Sequence, residues 1–162
     1  GKDLTPRPPS LAGKDLTPRP PSLAGKGERS ALPWYRALHA AMQAGLVRAC
    51  HDCSDGGLAV AAAEMVIAGE LGLELHLSAA RHLDDADLDD ATLLFGESSG
   101  RLLVEVSSED AAAFEARLAG LPCAAIGEVT AEPTLRVFGD GIAPIIEADL
   151  AALENAWRGH IR

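Results

Sequence analysis

The chain has 162 residues, 48% of them hydrophobic, and a formal charge of −10. The charge is unevenly spread: residues 1–30 carry six Lys/Arg against three Asp/Glu, whereas residues 31–162 carry eight arginines, no lysine and 21 acids, a net of −13. So acidic a domain, with 4% aromatic residues, excludes nonspecific nucleic-acid binding, which needs clustered cations and stacking platforms. No apolar run approaches the ~20 residues of a membrane span.

Residues 1–12, Gly-Lys-Asp-Leu-Thr-Pro-Arg-Pro-Pro-Ser-Leu-Ala, recur unchanged as residues 13–24, and a third copy begins at Gly25-Lys26 and stops. Six of the ten prolines lie in this stretch. Proline removes backbone donors and favours extended neighbours, and the repeat offers little apolar surface to offset ordering entropy. A disordered tail is expected over 1–30 and a folded domain over 31–162. The perfect repeat reads as duplicated DNA translated in frame.

Residues 33–46 read as a helix: Pro33 suits the first turn, Trp34, Leu38, Ala41 or Met42 and Leu46 recur at helical spacing, and Gly45 marks the end. Residues 47–50 form a short apolar link, expected as a strand, into the polar stretch 51–57. Residues 57–68 then form a helix so apolar that it should be buried on most sides, with Gly69 closing it. The strict alternation over 71–77 predicts a strand with one buried face. An acidic loop over 81–90 leads to a short helix near 89–95, a polar turn at 96–100 and a strand at 101–106. Ser107 or Ser108 is expected to cap a helix over 109–119. Strands are expected at 123–129, 134–138 and 142–146, the last two joined by Gly139-Asp140-Gly141, and a final helix at 147–158. Interleaved helices with several short-turn strands indicate an α+β layered sandwich with a mixed, largely antiparallel sheet.

The chemistry concentrates at His51-Asp52-Cys53-Ser54-Asp55-Gly56-Gly57. Helix N-termini carry free N–H groups and partial positive charge, which suit phosphate. Carboxylates beside phosphate repel it unless a hard cation bridges them, so Asp52 and Asp55 point to Mg²⁺-nucleotide chemistry. The same residues also fit a plain helix start, with Ser54 or Asp55 as N-cap and the glycines allowing a tight turn. Gly96-Glu97-Ser98-Ser99-Gly100-Arg101 is a second polar turn, able to bind a sugar or phosphate or to act only as a turn. Cys50-His51-Asp52-Cys53 has redox or zinc spacing but no second cysteine pair; Cys123 stands alone and is expected in the core. Three cysteines make no disulfide framework, so a reducing cytoplasm is expected. Asp84, Asp85, Asp87, Asp89 and Asp90 lack EF-hand spacing and read as a solvated loop. His39, His76 and His82 have no partner at a telling spacing, and neither a P-loop nor a nucleophile elbow is present.

Several segments together resemble one family: 51–59, Ala63-Glu64-Met65, Leu94-Phe95-Gly96-Glu97-Ser98-Ser99-Gly100-Arg101, Ile126-Gly127-Glu128-Val129, and Leu153-Glu154-Asn155-Ala156-Trp157. They resemble the C-terminal AIR-synthase-type domain of phosphoribosylformylglycinamidine synthase, over about residues 33–160. The resemblance implies an ATP- and Mg²⁺-dependent amidotransferase of purine biosynthesis, in which ATP activates the amide oxygen of formylglycinamide ribonucleotide and ammonia replaces it. It implies Asp52 as a Mg²⁺ ligand, Ser54 with Gly56 and Gly57 at the nucleotide, and Glu97 and Ser98 as substrate or phosphate contacts. No catalytic residue is assigned. The family's catalytic histidine and ATP-facing lysine lie in earlier domains, so a fragment is expected that is inactive alone and partnered by the remaining domains or subunits of the synthase. Related families with the same architecture (AIR synthetase, selenophosphate synthetase, thiamine-monophosphate kinase, hydrogenase maturation) are the alternative, as is a non-catalytic interaction module.

Overall fold

A computed structural model describes residues 32–81, 83 and 88–159. The tail expected over 1–30 and the acids Asp84, Asp85 and Asp87, with His82, lie outside the described residues.

The order of elements is α1 (Leu32–Gln43), β1 (Ala49–Asp52), α2 (Gly57–Gly69), β2 (Gly72–His76), α3 (Leu77–Arg81), α4 (Asp90–Phe95), β3 (Leu102–Glu105), α5 (Ala111–Arg117), β4 (Gly127–Thr130), β5 (Thr134–Phe138), β6 (Pro144–Asp149) and α6 (Leu150–Trp157). The strands form two sheets: an antiparallel pair β1-β3, and a four-stranded sheet in the order β4-β2-β5-β6. Among the described residues only β2 and β5 run parallel; every other pairing is antiparallel. The α+β class and the mixed, largely antiparallel pairing are therefore as the sequence indicates.

Helix α2 is the centre of the molecule. It touches β1, β2, β3, β5, α4 and α6, as its apolar sequence requires. Leu58, Val66, Leu75, Leu93 and Val137 are each at most 3% exposed in this core, and burial of such side chains contributes about 1.5–3 kcal/mol apiece. A second, smaller core joins α1 to α5 through Leu38, Ala41, Phe114 and Leu118, against Cys50, Leu102 and Val104. Strand β3 lies between the two cores: Leu103 belongs to the first, Leu102 and Val104 to the second, the alternation a strand imposes. That is why β3 is apolar at consecutive positions.

Five local expectations are corrected. Residues 77–81 form the short helix α3 instead of continuing the strand and opening a loop; Leu77 and Ala80 are buried in it. Strand β4 begins only at Gly127, and Cys123 is exposed instead of in the core. The apolar run 123–126 is mostly irregular backbone, with the Ile126 carbonyl accepting from the His76 N–H at 2.7 Å. Residues 147–149 belong to β6, not to the last helix, because pairing with β5 runs to Thr134↔Asp149. Asp149 then caps α6, its Oδ1 accepting from the Ala152 N–H at 2.7 Å. Before α5, Ser107 accepts from the Asp110 N–H at 3.3 Å, as a capping serine does, and donates to Asp110 Oδ2 at 2.6 Å, but the regular helix starts later than expected, at Ala111.

Candidate nucleotide-site wall

The pairing of β1 with β3 sets the site. In this register His51 is opposite Leu103 and Asp52 opposite Leu102. Leu103 faces the α2 core and Leu102 the α1 side, so consecutive residues His51 and Asp52 face opposite ways. His51 Nε2 is 3.0 Å from Glu64 Oε2 on α2, and Nδ1 is 2.8 Å from the Asp52 carbonyl oxygen. His51 thus ties β1 to α2, and the exposed Asp52, its Oδ1 3.9 Å from His51 Nδ1, lines the open side.

The chain leaves β1 through residues 53–56. Cys53 donates its backbone N–H to the Arg101 carbonyl at 3.0 Å, and its side chain is buried. Gly56 and Gly57 both adopt left-handed backbone, φ +76° and +66°, which glycine reaches without the Cβ penalty. A Cβ on Gly57 would stand 2.6 Å from the Leu94 carbonyl oxygen; the start of α2 therefore fits tightly against the end of α4.

That fit brings the second polar turn alongside. The Gly56 N–H donates to Glu97 Oε1 at 2.9 Å, placing a carboxylate at the positive end of α2. At the other end of the turn, Arg101 donates to the carbonyls of Leu93 at 3.0 Å and Gly96 at 3.4 Å, satisfying acceptors at the close of α4. Asp89, one of the acids read as a solvated loop, caps α4 by accepting from the Thr92 N–H at 2.7 Å. Asp90 in the same run pairs with Arg81.

The result is an open cleft of about 330 Å³ walled by the two polar segments, at the small end of ligand-site volumes. Asp52, Ser54, Asp55, Glu97, Ser98 and Tyr35 line it. Ser54 donates its hydroxyl to Asp52 Oδ2. That bond, aided by backbone hydrogen bonding, holds the Asp52 carboxyl below the usual aspartate range. The Gly56 and Gly57 amides are already used, Gly56 on Glu97 and Gly57 on the Ser54 carbonyl at 3.2 Å. Sequence reading missed Tyr35, which an isolated tyrosine on a helix gives no spacing to reveal.

Among the described residues no three His, Cys, Asp or Glu side chains group into a metal site. Asp52 alone, exposed and ionised, still suits Mg²⁺, which is commonly held by one or two carboxylates with waters and substrate phosphates. The cysteines are free, and burial pushes the Cys50 and Cys53 thiols up, the opposite of an activated redox pair.

The family described as "AIR synthase related protein, C-terminal domain" matches residues 15–140. The chain belongs to that family. The match begins inside the second repeat copy and ends between β5 and β6. Among curated relatives, the synthase subunit PurL of Deinococcus radiodurans is 42% identical over 120 residues, covering 73% of this chain and 15% of the relative. PurL of Lactobacillus helveticus is 40% identical over 130 residues, covering 79% and 16%. The chain thus spans about 15% of the length of these relatives. A solved structure, "T. maritima PurL complexed with ATP", superposes with a TM-score of 0.66 at 25% identity, over 75% of this chain and 21% of that one. Escherichia coli HypE shares the fold, with a TM-score of 0.55 at 24% identity, over 80% and 42% of the two chains. Among the described residues no helix is long and apolar enough to cross a membrane.

Proposed function

We propose that this chain is the C-terminal AIR-synthase-type portion of a phosphoribosylformylglycinamidine synthase and supplies one wall of a Mg²⁺-nucleotide site. The observation that carries the reading is the bond from the Gly56 N–H to Glu97, which joins the two polar segments into one cleft beside Asp52. A PurL of Thermotoga maritima is solved with ATP, and the same likeness supports ATP as the nucleotide here.

The roles follow from the charges. Three acids line the cleft, and its arginine is engaged with α4 carbonyls, so bare phosphate is repelled. Magnesium, when bound, supplies the charge that lets phosphate approach. Asp52 is the carboxylate offered to it, and the Ser54 hydroxyl holds that carboxylate in its ionised form. Gly56 and Gly57 shape the loop, since their amides are engaged within the chain. Glu97 positions the turn that presents Ser98 to the ligand.

The other domains of the synthase, or its separate subunits, complete the site. A structure of PurLQS from Thermotoga maritima supports partners of that kind. The three free cysteines fit a cytoplasmic enzyme. The purified chain should form no amidine from ATP, glutamine and formylglycinamide ribonucleotide, and detectable turnover would refute the fragment reading.

Calorimetry tests the site. The chain should bind Mg·ATP, and Asp52→Asn should weaken binding about tenfold by removing a charge-assisted contact. Equal isotherms for the two proteins would sink the assignment of Asp52.

A further inference from the structure

Tyr35 lines the cleft yet has no part in the metal-holding role given to Asp52 with Ser54. It lies on α1, one residue from Trp34, and the two rings meet edge to face with centroids 5.8 Å apart at 89°. Trp34 is anchored, its indole Nε1–H donating to the Pro122 carbonyl at 3.1 Å, and it packs against the smaller core. Tyr35 is 46% exposed. Its hydroxyl stands by Gly100, 3.7 Å from where a Cβ would sit on that glycine. The ring thus stands between an anchored neighbour and the second polar turn, and stays half-exposed where it lines the cleft.

The remaining lining is mainly acids, serines and glycine. Cys53 is buried and Leu102 packs toward the second core, so Tyr35 is the one aromatic surface the cleft offers among the described residues. Aromatic faces stack on nucleobases whatever the base, and they do so without charge. Building on the nucleotide reading of the site, we propose that Tyr35 is the nucleoside-recognising residue: its ring packs on the purine base, while Asp52, held by Ser54, serves the Mg²⁺ that meets the phosphates. The cleft would then distinguish a nucleoside triphosphate from a triphosphate alone.

The test is an amide-resolved NMR titration of the full chain with two probes, Mg·ATP and Mg·tripolyphosphate, for wild type, Tyr35→Ala, Tyr35→Phe and Asp52→Asn. Loss of a stacking surface should weaken Mg·ATP at least fivefold in Tyr35→Ala, leave tripolyphosphate affinity unchanged, and spare Tyr35→Phe. Asp52→Asn should weaken both probes. Unchanged Mg·ATP affinity in Tyr35→Ala, or equal loss of both probes in that variant, would overturn the role of Tyr35 while leaving the site standing. No response of the wild type to either probe would overturn the site reading itself, and this inference with it. A dispersed Tyr35→Ala spectrum verifies that the exposed side chain was removed without unfolding.

Discussion

The Gly56 N–H lies 2.9 Å from Glu97 Oε1 across 41 residues of sequence. One polar segment starts the central helix, the other ends α4, and the bond makes them walls of one cleft. Glu97 acts on the fold as well as on the site, because it sits at the positive end of α2.

Removing that charge should therefore be felt in stability. Glu97→Gln keeps an acceptor for Gly56 but loses the charge–dipole attraction, and should cost about 0.3–1 kcal/mol at low salt. Glu97→Ala loses the hydrogen bond too and should cost more. Urea denaturation at two ionic strengths measures both, and an effect on Glu97→Gln that persists unscreened at high salt would count against the dipole account.

Gly57 should not tolerate a side chain. Its backbone is left-handed at φ +66°, and a Cβ would meet the Leu94 carbonyl at 2.6 Å. Gly57→Ala should lose about 1–3 kcal/mol from the backbone conformation alone, with the clash adding to that. Gly45→Ala, left-handed at φ +73° but with open space around its Cβ, should lose less. Equal losses in thermal unfolding would show that the α2–α4 fit contributes nothing.

Much of this fold is legible in the sequence, for reasons that differ by element. Strand β2 alternates strictly and α2 is apolar on nearly every side, so periodicity and burial agree. The boundary between β6 and α6 was misplaced because Ile145-Ile146-Glu147-Ala148 suits either state, and pairing with β5 decides it. The cap at Asp149 was the available signal. Cys123 was misplaced because an apolar run does not reveal that its backbone stays irregular. In the site, each polar segment could be picked out alone; their meeting depends on the tight approach at Gly57, which no local pattern encodes. Tyr35 was silent for the same reason.

The state of Asp52 gives a pH prediction. Its carboxyl is held below the ordinary 3.8, first by the Ser54 hydroxyl. A depressed folded-state value means the ionised form is complete above the ordinary range and is lost only as pH falls through the lowered value. Ser54→Ala should move the Asp52 carboxyl resonance titration up toward 3.8. A titration unchanged by the substitution would remove Ser54 from the account.

Thiol reactivity should follow exposure. Burial raises the Cys50 and Cys53 thiols, and partial desolvation with the nearby Glu115 charge raises that of the exposed Cys123, so none is an activated thiolate at neutral pH. Cys123 is exposed, Cys50 half-buried and Cys53 buried. Iodoacetamide labelling followed by mass spectrometry should modify them in that order. Fast modification of Cys53 ahead of the others would reopen a redox role for the Cys50–Cys53 pair.

The central claim is that a metal–nucleotide complex sits in the cleft between the two polar segments. Replacing Mg²⁺ by paramagnetic Mn²⁺ in an ATP titration of the chain tests it most directly. The account predicts that amide resonances of Ser54, Asp55, Ser98, Ser99 and Gly100 broaden first, while those of β4, β5 and β6 keep their width. Broadening centred instead on the Glu132–Arg136–Glu147 cluster of the larger sheet, or spread evenly over the acidic surface, would contradict it.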